Sequence, residues 1–130
     1  MKKIAIVADG WRRYINYAWI SGCRQYIKEK KLDAQLYVFY AFGNFSKDEK
    51  YNQGEYNIIT LPDFRQFDGI IVELTNVLKR KYARKIIDTI RTSKVPAVSL
   101  LERIPGLYFA GIDNYSAMKE IVEHLVTVHG

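Results

Sequence analysis

Polar and aromatic side chains gather in four short segments of the chain, and each segment follows an apolar run. Carboxylate, amide and guanidinium groups form directional hydrogen bonds with hydroxyls, and an aromatic ring stacks on the apolar face of a sugar ring. The mixture predicts a binding site for a small polar molecule such as a sugar. The candidate ligand-binding residues are Asp9, Trp11, Arg12, Tyr14, Asn16, Glu73, Asn76, Glu102, Arg103, Asp113 and Tyr115.

The same residues also have a purely structural interpretation. Loops are exposed, so polar residues accumulate at strand ends in any protein. On this interpretation Asp9-Gly10 and Asp113-Asn114 serve only as turn and capping residues.

Other site chemistries require residues that the chain does not place at the right spacing. A dinucleotide site needs closely spaced glycines after the first strand, and only Gly10 stands there; the GxxxxGK[ST] phosphate loop is absent. His124 and His129 are five residues apart, which places them on different faces of a helix, and Cys23 is remote from both. We therefore expect no metal and no cofactor, while a Cys–His catalytic pair stays open as an alternative.

A phosphoacceptor receiver domain shares the expected strand–helix alternation but needs different side chains. It requires an Asp after the third strand and a Lys after the fifth. The segments at these two places are Glu73-Leu74-Thr75-Asn76 and Asp113-Asn114. The receiver interpretation is therefore disfavoured.

The elements that must position the site follow from apolar periodicity. Uninterrupted apolar centres alternating with helical spacing predict a doubly wound, mostly parallel α/β sheet with helices on both faces. Between the second and third strands only a short helix fits, and residues 55–61 look extended, so an extra edge strand is an alternative. Predicted strands cover residues 3–8, 34–42, 67–74, 95–101 and 107–112; predicted helices cover 14–30, 79–93 and 116–128, with Asn114 or Ser116 as the last N-cap.

Length and composition predict one soluble domain. The chain has 130 residues, of which 48% are hydrophobic, and no apolar run approaches the roughly 20 residues that span a bilayer. The single Cys23 fits a reducing compartment, so a cytoplasmic location without membrane contact is expected. The net charge of +6 favours an anionic partner, but the basic residues fall at helical spacing and are typical of solvated helix faces.

Five pieces of the chain resemble the effector-binding domain of the lactose-repressor family (LacI/GalR), itself similar to periplasmic sugar-binding proteins. The most specific is the run Asp113-Asn114-Tyr115 followed by Glu123-His124-Leu125. The resemblance covers nearly the whole chain and implies that residues 1–130 are the first lobe of a two-lobe domain whose cleft closes on a sugar. The pieces are IAIVAD at 4–9, FDGIIV at 67–72, VPAV at 95–98, GIDNY at 111–115 and VEHLV at 122–126.

The resemblance implies a non-catalytic sensor in a bacterial transcription or signalling regulator. It also implies that the sensor binds a small-molecule effector and forms a homodimer. The first strand begins at Lys3, so no DNA-binding module is expected in this chain. The opening DGWRRY at 9–14 and the replacement of a helix by residues 53–66 look like sensors that precede a diguanylate cyclase (GGDEF) module.

Two alternatives stay open. One is a flavodoxin-like enzyme that acts on a phosphorylated small molecule through Arg12 and Arg13. The other is a dimerisation or interaction module whose cleft is vestigial.

Overall fold

The chain folds into a parallel five-stranded sheet with flanking helices. The computed structural model describes residues 1–11, 13–43, 46–77 and 79–130. The strand order is β2-β1-β3-β4-β5, and every described pairing is parallel. This confirms the predicted doubly wound α/β class. The strands are β1 (Lys2–Asp9), β2 (Ala34–Ala41), β3 (Gly69–Glu73), β4 (Ala97–Leu100) and β5 (Tyr108–Ala110); the helices are α1 (Arg13–Glu29), α2 (Glu49–Thr60), α3 (Arg80–Ser93) and α4 (Asn114–Val128), with a short 3₁₀ turn at Phe64–Gln66.

The main hydrophobic core lies on one face of the sheet, under α2, α3 and the 3₁₀ turn. Ala5 and Val7 of β1 and Val72 of β3 are fully buried there. Tyr56 of α2 stacks on Tyr82 of α3 with ring centroids 4.5 Å apart. Burial of these aromatic and aliphatic groups supplies most of the driving force for folding.

The opposite face is covered by α1, and that cover is thin. Asn16 is the one residue of α1 that is buried, while Cys23 and Ile27 are half-buried. Because strand side chains alternate between faces, Ile4 of β1 and Ile71 of β3 point toward α1, and both are only half-buried. The two faces of the sheet are therefore unequally packed.

Helix α2 corrects the prediction for the segment between β2 and β3. Residues 49–60 form a helix of 12 residues, shorter than α1, α3 and α4, as expected. The extended segment at 55–61 and the replacement of a helix over 53–66 were wrong, because the helix continues to Thr60. The Asp48 carboxylate accepts a 2.8 Å hydrogen bond from the Lys50 backbone N–H and caps the helix. Asn52, Tyr56 and Ile59 recur on one buried side of α2, and this tertiary burial outweighs the poor helix propensity of Gly54.

The start of α4 also differs from the prediction. The N-cap is Asp113, whose carboxylate accepts hydrogen bonds from the backbone N–H and the hydroxyl of Ser116, at 3.1 and 2.9 Å. The hydrogen bond from the Ser116 backbone lowers the pKa of Asp113 most, and the one from its hydroxyl adds to this. The helix therefore begins at Asn114, because an aspartate satisfies the free N–H groups of the first turn.

The ends of the strands agree with the prediction to within two residues, and β5, at three residues, is shorter than expected. Among the described residues, no helix has both the length and the apolarity that a membrane crossing requires.

A pair of adjacent isoleucines in α2 tests the position of the core. Ile59 is fully buried, whereas Ile58 is 40% exposed. Ile59→Ala is expected to lower the free energy of unfolding by about 2–5 kcal/mol, because it leaves a cavity in a packed core. Ile58→Ala is the matched control and should cost about 1 kcal/mol or less in the same urea titration. Equal losses in the two variants would contradict the orientation of α2.

Gly54 gives an independent test of the α2 helix. A methyl group added at Gly54 meets no neighbour within 4 Å, and the residue lies inside the helix. Gly54→Ala should therefore raise the free energy of unfolding by about 0.5–1 kcal/mol, since alanine loses less backbone entropy than glycine. A destabilised variant in thermal unfolding would argue against a helix at this position.

Glu49 ties the first turn of α2 to the start of α3. Its carboxylate accepts a hydrogen bond from the Lys79 ammonium and one of 2.7 Å from the Tyr82 hydroxyl. It also forms an ion pair with the Lys81 ammonium, with an N–O distance of 2.6 Å. These hydrogen bonds lower the pKa of Glu49 from 4.5 to about 2. The one from Lys79 contributes most, followed by those from Lys81 and Tyr82.

The depressed pKa of Glu49 predicts a pH dependence of stability. A carboxyl whose pKa is lower in the folded state adds stability above its unfolded pKa, and this stability is lost as the pH falls through the folded pKa. Glu49→Gln should therefore lower the melting temperature at pH 7, and the difference from wild type should close as the pH falls from 4.5 to about 2. Glu120→Gln, on exposed α4, is the control and should track wild type throughout. A pH-independent gap for Glu49→Gln would mean that its carboxylate charge contributes nothing.

Candidate functional site

The carboxyl ends of the five strands meet at one edge of the sheet, and most predicted site residues follow them. We call this the carboxyl edge. In open α/β sheets it is the usual place for ligands, because the strand-to-helix loops surround a crevice there. Its chemistry depends on which side chains the loops turn inward.

Asp9 ends β1 and is fully buried. One of its carboxylate oxygens, Oδ1, accepts a 2.9 Å hydrogen bond from the Trp11 backbone N–H, which closes the turn before α1. Its backbone carbonyl accepts a 2.8 Å hydrogen bond from the side-chain amide of Asn16. Asp9 thus organises the turn, as the structural interpretation of the sequence also expected.

Asn16 and Glu73 are two buried polar side chains on the α1 side of the sheet. Asn16 is 2% exposed and Glu73 is 1% exposed. Glu73 pairs with Ala8 in the register of β1 and β3, and by strand alternation it points to the same face as Ile71. Both side chains therefore lie where α1 begins, next to the end of β1.

Each of these two side chains has one oxygen without a hydrogen-bond donor among the described residues: Oδ1 of Asn16 and Oε2 of Glu73. The other carboxylate oxygen of Glu73 accepts hydrogen bonds from the backbone N–H, at 2.7 Å, and from the hydroxyl of Thr75. Leaving a buried acceptor unpaired costs about 1–3 kcal/mol, more when it is charged. A donor supplied from outside the chain would remove that cost.

A pocket of about 230 Å³, here the edge pocket, opens beside Asn16. Its size is below the roughly 300–1,000 Å³ typical of sites that enclose drug-sized ligands, so it suits one small chemical group. A Cβ on Gly10 would approach the Phe42 ring to 2.4 Å, so only glycine fits this contact. The lining residues are Gly10, Arg13, Asn16, Tyr17, Tyr40 and Phe42.

Trp11 is turned toward β2. Its indole N–H donates a 3.1 Å hydrogen bond to the Gly43 carbonyl, and its ring meets Phe42 edge-on at 5.5 Å. The residue as a whole is still 48% exposed. Tyr14 is 93% exposed on α1, and the Arg12 prediction falls outside the described residues.

The turn after β4 carries Glu102 and Arg103, which are both exposed. Leu101 has a φ of 66°, a left-handed conformation that is costly for a bulky residue. The Ser99 hydroxyl donates a 2.6 Å hydrogen bond to the Glu102 carbonyl and so holds this turn. Arg103 places its guanidinium 4.3 Å from the centre of the Phe109 ring.

The structure thus places the predicted residues in two groups. Asp9, Asn16 and Glu73 are buried; by strand alternation Asp9 points to the main-core face of the sheet and Glu73 to the α1 face. Trp11 and the half-buried Asn76 lie in the loops that follow β1 and β3. The remaining described residues are exposed; they are Tyr14, Glu102, Arg103, Asp113 and Tyr115.

Sequence reasoning missed Tyr17, Tyr40 and Phe42 of the edge pocket. Tyr40 lies in β2, and aromatic residues are common in strands of all kinds, so its residue type does not indicate a binding site. Only its position near the carboxyl edge could have indicated a role in the pocket. Burial, with Tyr17 as a second cause, raises the pKa of Tyr40. Tyr40 therefore keeps its proton at neutral pH and offers a hydroxyl as donor and acceptor.

Within the part of the chain that the structure describes, no three His, Cys, Asp or Glu side chains are grouped so that they could hold a metal ion. The two histidines pack against each other at the end of α4, with ring centroids 5.1 Å apart. Cys23 lies on α1, and burial raises the pKa of its thiol.

Comparison with known proteins supports the fold. No protein-family model matches the chain, and no curated protein matches it. A solved structure that is similar is a 3-dehydroquinate dehydratase-like protein from Bifidobacterium longum, with a TM-score of 0.52 and 11% identity, over 98% of this chain and 99% of that chain. At this identity the likeness extends to the arrangement of strands and helices, and the chain is a Rossmann-like α/β protein.

Proposed function

We propose that this chain is a non-catalytic sensing lobe that binds a small hydroxyl-rich molecule, such as a sugar, at the carboxyl edge. The observation that carries the proposal is the pair of buried acceptors without a donor, Oδ1 of Asn16 and Oε2 of Glu73. Hydroxyl groups are donors, and a carboxylate accepts them in strong charge-assisted hydrogen bonds.

The surrounding groups support a sugar over an apolar ligand. Tyr17, Tyr40 and Phe42 give the edge pocket aromatic walls, and Trp11 leaves nearly half of its surface exposed beside them. Aromatic faces pack against the C–H groups of a sugar ring while planar polar groups bind its hydroxyls. The resemblance to the lactose-repressor family points to the same ligand class and to a role in a bacterial transcription or signalling regulator.

The dehydratase-like name belongs to a neighbour with 11% identity, and such a likeness extends to fold alone. The enzyme alternative relied on Arg12, which lies outside the described residues, and on Arg13, which lines the edge pocket. Sensing remains the proposal because its supporting groups, Asn16 and Glu73, are both buried on the α1 side of the sheet.

A titration followed by amide NMR tests the proposal, with D-glucose, D-galactose and D-ribose as probes. Binding to one open lobe should be weak, with a Kd on the order of millimolar, because the ligand keeps one face in water. Shifts are expected at the amides of Gly10, Asn16 and Thr75, which border the two acceptors. Shifts with none of the three sugars would contradict the proposal.

Variants sharpen this test. Glu73→Gln keeps the shape of the side chain but removes the charge, so affinity should fall by about tenfold to a hundredfold, as expected for a charged hydrogen bond worth about 1.5–3 kcal/mol. Glu120→Gln makes the same change on exposed α4 and should leave the affinity unchanged. Equal affinities of the two variants would remove Glu73 from the site.

A further inference from the structure

Helix α4 leaves the body of the protein and lies in the open. Every residue from 111 to 130 is exposed, and none of the 15 residues of α4 is buried. An isolated helix of about this length is only marginally stable in water, so α4 needs a packing partner to persist.

The surface of α4 shows what kind of partner that is. Tyr115, Met118, Val122 and Leu125 recur at intervals of three and four residues, which places them in one stripe along the helix. Each is at least half exposed. The opposite side of α4 is polar and carries Thr127 and Glu120. A stripe of this kind is typical of a helix that docks on an apolar surface.

The body of the chain offers such a surface. Beside α1, on the thinly covered face of the sheet, an open and mostly apolar groove of about 740 Å³ runs over β1, β3 and β4; we call it the sheet groove. Ile4, Ile71 and Val98 form its floor, and Cys23 and Ile27 of α1 form one wall. A parallel sheet needs cover on both faces, and here α1 supplies only part of it.

Length and charge both match α4 to the sheet groove. The 15 residues of α4 make a rod of about 22 Å, and the 8 residues of β1 span about 26 Å. Helix α4 carries one lysine and two glutamates, whereas the whole chain has a net charge of +6. The helix is therefore slightly acidic and the rest of the chain is basic, which favours their association.

The connection between β5 and α4 favours docking between two chains. Only residues 111–113 link the two elements. A Cβ on Gly111 would approach the Phe109 ring to 2.6 Å, and Arg103 lies on that ring, so this contact holds the start of the link in its present course. Short hinge segments that carry an element away from its own body favour exchange with an identical neighbour.

We propose that α4 of one copy docks in the sheet groove of a second copy, and the reverse, which gives an exchanged dimer. The two-fold arrangement buries both apolar stripes and covers the second face of both sheets at once. The proposal is independent of ligand binding at the carboxyl edge.

Analytical ultracentrifugation of the 130-residue chain gives the first test. Wild type should sediment as a dimer at micromolar concentration. Leu125→Asp places a charge at the C-terminal end of the stripe twice per dimer and should raise the dissociation constant about 100-fold or more. Thr127→Asp adds the same charge on the polar side of α4 and should remain dimeric. A monomeric wild type, or equal dimerisation of both variants, would overturn the proposal.

Disulfide trapping distinguishes exchange from folding back onto the same chain. Cys23 lines the sheet groove and is the only cysteine of the chain. Met118→Cys, Val122→Cys and Leu125→Cys, each oxidised in turn, should give a cross-linked dimer on a non-reducing gel for at least one position. Thr127→Cys and the wild type should give none. A disulfide within a single chain, or no cross-link at any of the three positions, would overturn the proposal.

Discussion

The fold depends on the two-sided pairing of β1. This strand hydrogen-bonds along its whole length to β2 and over five residues to β3, so its register fixes where both neighbours end. Its side chains serve both faces: Ala5 and Val7 enter the main core, while Ile4 and Ile6 face α1. The turn at Asp9, the start of α1 and the placement of Glu73 beside Ala8 all follow from this register.

Much of this arrangement is predictable from the sequence, because buried parallel strands have uninterrupted apolar centres and helices keep a period of 3.6. The helix around Gly54 was not predictable, because glycine disfavours a helix and the run Ile58-Ile59-Thr60 favours an extended chain. Burial of Tyr56 and Ile59 against the sheet decides the helix there, and burial is a tertiary property. The same holds for the N-cap of α4, where Asp113 and Asn114 are both suitable residues and geometry selects one.

The candidate site was predictable as a location but not as a set of contacts. The rule that parallel strands end at one edge places Asp9 and Glu73, the last residues of β1 and β3, at this edge, and both are buried, as is Asn16 of α1. It cannot tell that Trp11 donates to the Gly43 carbonyl, or that Tyr40 lines the edge pocket. Those outcomes depend on side-chain packing, as does the separation of the buried trio from exposed residues such as Tyr14 and Arg103.

The contacts of Glu49 with Lys79, Lys81 and Tyr82 affect the electrostatics of helices α2 and α3. The helices α2 and α3 each follow a strand of the parallel sheet, so both begin at the carboxyl edge, where the helix dipole leaves partial positive charge. The first residues of α3 are Arg80 and Lys81, cations that a helix N-terminus disfavours. Because Glu49 lies in the first turn of α2 and contacts the start of α3, one carboxylate offsets the positive ends of two helices and the lysines beside them.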